Sequence, residues 1–215
     1  MKKLIVVSLF ILVSTSFSQL ISSYGFKAGL TASKQKWVYS NIQYFAGFTT
    51  DLDYKYGFNC GVFAESSIVP LFDVVAEMNY IQKGGKDKLI KTLADSPDGS
   101  GETTTWTIHL NYLNLSLLAK PKLSVLGLNA YFLLGPSYDH NVANYSWVDG
   151  ENLEGIDFLK EDLFSVKFGA GSEFNISNLK FLVEILYDYN LNHLYKNQYV
   201  DMTTHSLDFR IGMKL

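Results

Sequence analysis

Cysteine is almost missing from this chain. Cys60 stands alone among 215 residues, so no intramolecular disulfide can hold the fold together. Proline is nearly as scarce, with four residues, and there is no Pro/Ser-rich linker, solenoid-type repeat or low-complexity tract. One domain is therefore expected. Beyond the N-terminal leader, no apolar run reaches the ~18 residues that a membrane-crossing helix needs. Cationic clusters are missing too. The formal net charge is −3, and no Lys/Arg cluster with interleaved aromatics marks a nucleic-acid surface. No nucleic-acid partner is expected.

Aromatic side chains are abundant instead: 14 Tyr, 15 Phe and 3 Trp. The N-terminus carries a second signal. Lys2 and Lys3 precede the apolar stretch Leu4 to Val13, and small residues occupy Ser14 to Ser18. This is the pattern of a secretory signal peptide over residues 1–18, too short to span a bilayer as a helix. The reading leaves 19–215 as the mature domain.

The C-terminus carries the third. Leu207, Phe209, Ile211, Met213 and Leu215 are apolar, while Ser206, Asp208, Arg210, Gly212 and Lys214 between them are not. A period of two places these sets on opposite faces of a strand. With no later residue to cover the apolar face, this is the pattern of the closing strand of a barrel in lipid, and no further domain is expected.

Seven more segments share that character: Tyr24–Thr31, Phe58–Glu65, Phe72–Tyr80, Leu113–Lys120, Asn129–Tyr138, Phe164–Gly171 and Phe181–Asn190. Each is about ten residues, the length of a tilted strand crossing hydrocarbon. Asn129–Tyr138 is apolar on both faces, so its orientation stays open. The connections alternate: Ala32–Tyr56, Lys83–Thr107 and His140–Leu163 are long, whereas Ser66–Leu71, Pro121–Leu128 and Asn175–Lys180 are short. Outer-membrane barrels have short periplasmic turns and longer outside loops. The predicted fold is thus all-β, an eight-stranded antiparallel up-and-down transmembrane barrel with both termini periplasmic. Trp37–Phe48 and Lys83–Thr107 should face outside, and Ile68–Pro70 and Asn175–Asn178 inside. Tyr24, Phe72, Phe174 and Phe181 would mark the periplasmic rim, and Tyr56, Tyr80, Phe164, Tyr187 and Tyr189 the outer rim.

Several pieces, taken in order, carry a family resemblance. They are Gly25-Phe-Lys-Ala-Gly-Leu30, Glu77-Met-Asn-Tyr-Ile-Gln-Lys-Gly84, Tyr112-Leu-Asn-Leu-Ser-Leu-Leu-Ala-Lys120, Ala130-Tyr-Phe-Leu-Leu-Gly-Pro136 and Phe168-Gly-Ala-Gly-Ser-Glu173. The mature chain resembles the porin-like outer-membrane β-barrel proteins common in Bacteroidetes, small barrels of the OmpA/OmpX type. The resemblance implies architecture far more than activity, although some relatives serve secretion and gliding machinery. One departure is Leu215, where many such barrels end in an aromatic residue.

Eight strands enclose an interior about wide enough for side chains to fill. The inward positions carry Lys27, Glu65, Asp73, Glu77, Lys120, Lys167, Glu173, Glu184, Asp208 and Arg210. They form either a charged ion path or a paired polar plug, and the plug is expected because lone buried ions are costly. Arg210 with Asp208, on one face of the last strand, is expected at its centre. Catalytic candidates are thin: His205 and Ser206 point to opposite faces, and His193 and His109 read as loop-edge residues. Cys60 falls among apolar-face positions. Asp51, Asp53, Asp95 and Asp98 do not fit a calcium loop and read as solvated turn carboxylates. No enzyme activity, metal or cofactor is expected. The first long loop holds Trp37, Tyr39, Tyr44, Phe45 and Phe48, which read as a contact surface or, more in keeping with their rings, as a fold over the barrel mouth or a set resting in headgroups. The expected protein is a monomeric cell-envelope barrel that displays loops, with outer-membrane lipid and other envelope proteins as partners. A small passive channel is the alternative, and a lipid-modifying enzyme is a remote third.

Overall fold

The computed structural model describes residues 21–40, 48–91, 101–125, 128–148, 151–153, 159, 162–177 and 179–215. The proposed signal segment lies outside them. The described residues form strands and no helix: β1 (Ser23–Tyr39), β2 (Thr49–Asp51), β3 (Lys55–Val69), β4 (Phe72–Ile90), β5 (Thr103–Val125), β6 (Leu128–Val148), β7 (Glu151–Leu153), β8 (Asp162–Ile176), β9 (Leu179–Asn190), β10 (Tyr195–Lys196) and β11 (Val200–Lys214).

Eight of these are long, and each pairs antiparallel with the next long strand in sequence. The last returns to the first: β11 pairs with β1 from Gly25↔Lys214 to Tyr39↔Val200. The ring is closed, so none of its long strands is an edge. The eight-stranded up-and-down barrel expected from the alternation is the fold. At Gly29 the seam is close: a Cβ there would lie 2.0 Å from the Phe209 carbonyl oxygen.

The strands are longer than the hydropathy pattern suggests. β5 runs for 23 residues and β6 for 21. Much of the sequence expected to be loop continues the ladder, as in Trp37↔Met202 and Lys88↔Thr105. Polar residues occupy both faces there, so pairing persists where alternation of hydropathy has ended. The short connections are tight, and Ser177 takes φ 58° in the turn between β8 and β9.

Side chains alternate across the wall. Leu30, Phe58, Leu115, Leu134, Phe168, Ile185 and Phe209 are exposed on its outer face. Cys60 is exposed among them. Near the short turns, Phe174 stacks on Phe181 at 6.0 Å, and toward the other end Phe58 meets Tyr80 and Tyr138 meets Phe164. The orientation left open for β6 is resolved: Tyr131 and Leu133 point in, Phe132 and Leu134 out. A register shift where Asn111 and Tyr112 face Ala143 and Asn141 re-aims β6 beyond this point.

Two apolar clusters lie inside. Phe63, Val75, Leu118, Tyr131, Leu133, Leu182 and Leu186 pack toward the short turns. Leu52, Ile108, Leu110, Tyr112, Leu163, Leu194 and Met202 pack at the end with long connections. Leu52 and Leu194 come from the connections themselves, tied by Leu52 N–H to Gln35 O and Leu194 N–H to Met202 O.

Candidate functional site in the barrel lumen

Between and below these apolar clusters the lumen is filled by ions in tiers. Nearest the short turns, Lys120 Nζ lies 2.6 Å from Glu65 Oε1 and 2.5 Å from Glu173 Oε1. Lys214 joins the same two carboxylates, and Lys122 Nζ is 2.6 Å from Asp73. The Lys120 ammonium sits 4.0 Å from the centroid of the Tyr131 ring, which separates this tier from the next.

The central tier joins four strands. Arg210 on β11 donates through Nη1 to Glu77 Oε2 at 2.8 Å and through Nη2 to Glu184 Oε2 at 2.6 Å. Lys27 on β1 lies 2.7 Å from Glu77 Oε1 and 2.8 Å from Glu184 Oε1. Tyr131 donates its hydroxyl to Glu184 as well. None of the four ionic side chains is more than 2% exposed. Two cations face two anions, each spanning both partners, and this closure makes burial of the set tolerable.

Asn114 organises the next level. Its amide donates to Ser137 Oγ and Asp139 Oδ1, and its carbonyl accepts from Lys167 Nζ at 2.7 Å and from Ser116 Oγ at 2.9 Å. Beyond it, Lys83 Nζ bridges Asp139 Oδ2 at 2.7 Å and Asp188 Oδ2 at 2.8 Å, all three side chains fully buried. The Leu52–Met202 cluster lies above them.

All ten charged residues expected inside point inward. Nine are fully buried, and Glu173 remains partly accessible. Of the two residues expected at the centre, Arg210 lies in the central tier, where its fork reaches across the ring to Glu77 and along the ladder to Glu184, its register partner on β9. Asp208 instead accepts from Thr31 Oγ1 at 2.7 Å. Residues two apart on a strand share a face but stand nearly 7 Å apart along it, so the longer side chain finds partners on other strands. Sequence reasoning missed Lys83, Asp139, Asp188, Lys122 and Lys214. They add three bases and two acids, which moves the lumen closer to neutrality than the ten alone.

Among the loop aromatics, Trp37 packs against the Leu52–Met202 cluster and meets Trp106 edge-on at 5.6 Å. Tyr39 and Phe48 contact each other at 6.2 Å. Tyr44 and Phe45 lie outside the described residues, as do Asp95 and Asp98. Asp51 pairs with Lys34 across β1 and β2, and Asp53 forms a bridge with Lys86. Ser206 is buried in the lumen, while His205 contacts Tyr187, an alternation that keeps the two apart. His193 pairs with Asp201, and His109 stacks on Tyr145 at 4.7 Å. Among the described residues no group of three His, Cys, Asp or Glu side chains converges to hold a metal ion.

Residues 17–196 of this chain match the family model of the outer membrane protein beta-barrel domain, in keeping with the closed antiparallel ring. The chain belongs to that family. As an outer-membrane barrel, it turns its exposed leucines and phenylalanines to lipid. No curated protein matches it in sequence. Similar solved structures include Ail, the attachment invasion locus protein of Yersinia pestis, at 15% identity and a TM-score of 0.39, covering 90% of this chain and 98% of that one. Neisserial surface protein A is 13% identical with a TM-score of 0.38, over 88% and 96% of the two chains. The outer membrane protease OmpT from Escherichia coli is 10% identical with a TM-score of 0.41, over 89% and 95%.

Proposed function

We propose that this outer-membrane barrel is a structural or interaction protein, one that displays its long connections outside the cell and conducts no solute. The observation that carries this reading is the lumen. From the Glu65–Lys120 tier to the Lys83–Asp139 tier, ion pairs alternate with packed apolar side chains, and the Leu52–Met202 cluster lies over the far end. A solute crossing the barrel would have to break buried pairs that span non-adjacent strands. Among the described residues, His205 stands on the opposite face from Ser206, His109 stacks on Tyr145, and His140 and His193 pair with Asp162 and Asp201.

The sequence pattern supplies the rest of the proposal. The 1–18 segment directs export, both termini lie in the periplasm, and the long β4–β5 and β6–β8 connections reach outward. The barrel acts as a monomer, a small barrel of the kind found in Bacteroidetes. Its outer hairpins are the surface for other envelope proteins, docking on an envelope complex among them.

Planar-bilayer recording tests the central claim. The purified protein should give no steady currents of porin size, and stable single-channel steps would favour the passive-channel reading instead. Epitope tags at Gly99 and Ser177 test the direction. Surface labelling of intact cells should reach Gly99 and miss Ser177, and the reverse pattern would overturn the topology.

A further inference from the structure

The barrel wall is hydrogen-bonded unevenly. The β1–β11 closure pairs without a gap from Gly25↔Lys214 to Tyr39↔Val200, and β8–β9 does so from Ser165↔Asn190 to Ile176↔Leu179. The β5–β6 ladder does not. Pairing stops after Ser116↔Ser137, returns at Ala119↔Leu134, stops again and resumes at Lys122↔Tyr131. The register is the same on both sides of each gap, so the strands stay aligned and only the bonding is lost.

Proline accounts for both gaps. Among the described residues, Pro121 and Pro136 are the prolines that stand within strands, and neither has an N–H to give. Phe72↔Pro121 on the β4 side and Pro136↔Val166 on the β8 side are intact. The missing donors therefore both fall on the seam between β5 and β6. In hydrocarbon no water replaces them, so this seam is the least firmly held line of the wall.

Both sides of the seam are apolar. Outside, Ala76, Leu115, Leu117, Pro136, Tyr138 and Phe164 line a groove of about 430 Å³. Inside, Leu118 and Leu133 stand at the gaps and belong to the buried Phe63–Leu186 cluster. Leu118 lies one inward step from Ser116, which is opposite Glu77 of the central tier, and one from Lys120, which is opposite Asp73. The lumen behind the seam is thus an apolar layer with an ionic tier on either side.

We propose that the β5–β6 seam is a lateral portal, which parts locally and seats the acyl chain of a bilayer phospholipid against Leu118 and Leu133. The surroundings select the occupant. The groove is reached from the hydrocarbon, its walls and the layer behind them are apolar, and a polar ligand would give up its hydrogen bonds there. An acyl chain gives up none. Its entry breaks no ion pair and leaves the tiers on either side closed, so a current tests the tiers and a chain contact tests the seam.

The test is NMR of the full barrel in nanodiscs of protonated phospholipid, with leucine methyl groups labelled in an otherwise deuterated protein. Nuclear Overhauser contacts from the chain methylenes should reach the methyls of Leu118 and Leu133. They should miss Leu182 and Leu186, buried in the same cluster behind the uninterrupted β8–β9 ladder. Pro136→Ala returns the N–H, and the contacts should weaken by about tenfold, the population shift that one hydrogen bond produces. Equal contacts at all four leucines, contacts at none, or undiminished contacts in Pro136→Ala would each overturn the proposal. Contacts that appear only when protonated free fatty acid is added to deuterated phospholipid would overturn it as well. The wild-type comparison of the four leucines decides the matter even if the variant fails to fold.

Discussion

Arg210→Ala is the sharpest probe of the lumen. The guanidinium makes four hydrogen bonds, two to Glu77 and two to Glu184, between 2.6 and 3.1 Å. Its removal leaves Lys27 as the remaining cation between two carboxylates, each of them less than 2% exposed. The central tier goes from neutral to one net negative charge. Removing one partner from a buried pair typically costs about 3–5 kcal/mol, because the other charge stays buried. With a urea dependence of roughly 2 kcal/mol/M for a protein of this size, the unfolding midpoint should fall by about 1.5–2.5 M.

The sign can be checked within the same set. Arg210→Met with Glu184→Gln removes one charge of each kind and leaves Lys27 paired with Glu77. About half of the lost stability should return. The assay is reversible urea unfolding in detergent, followed by tryptophan fluorescence and by the mobility difference between heated and unheated protein on a gel. A loss below about 1 kcal/mol for Arg210→Ala would mean that the tier is hydrated and screened like a surface pair. No recovery in the double variant would show that packing of the arginine, and not its charge, carries the effect.

Three other perturbations separate the parts of the barrel. Asn114→Leu, similar in shape, deprives Lys167 and Asp139 of a partner and should cost about 2–4 kcal/mol in the same urea assay; an unchanged midpoint would show that Asn114 is not the hub. Phe168→Lys places a charge on the outer wall between the aromatic rims and should cost about 2–4 kcal/mol in vesicles, with a markedly smaller loss in a soluble detergent belt that tolerates snorkelling. A double-mutant cycle of Trp37→Ala and Trp106→Ala should give a coupling near 1 kcal/mol for the edge-on pair; independent effects would detach the first connection from the barrel mouth.

Which face each residue takes was legible in the sequence wherever hydropathy alternates, because a period of two leaves no other arrangement. The ten inward charges came from that rule alone. Strand ends and ion partners were not legible. Lys83 precedes Gly84-Gly85, and paired glycines read as a turn. Here they continue β4, and a Cβ at Gly84 would lie 1.9 Å from the Ile108 carbonyl oxygen, so close approach of strands explains that glycine. Asp139 and His140 sit where apolar alternation stops but pairing does not. Partner choice depends on reach across a closed ring. Lys27 on β1 finds Glu77 on β4 and Glu184 on β9, neither strand adjacent to its own, and no local pattern encodes that.

The same geometry explains why the ions stand inside at all. A well-packed apolar interior can match or exceed a buried ionic one in stability, so stability alone does not account for the tiers. The outer wall is a poor judge of register. A strand that slips by two residues still turns apolar side chains to lipid, and only a slip of one flips the faces. The lumen discriminates where the wall cannot. If β9 slipped by two positions, Leu182 or Leu186 would replace Glu184 beside Arg210, and Glu184 would move among the leucines of the neighbouring apolar cluster. Arg210 would lose half of its hydrogen bonds, and a carboxylate would be buried without a cation. Because each tier spans strands that are not neighbours, such an error is penalised from several directions at once. Alternating ionic and apolar layers thus make the correct register the one in which every buried charge of the central tier is answered.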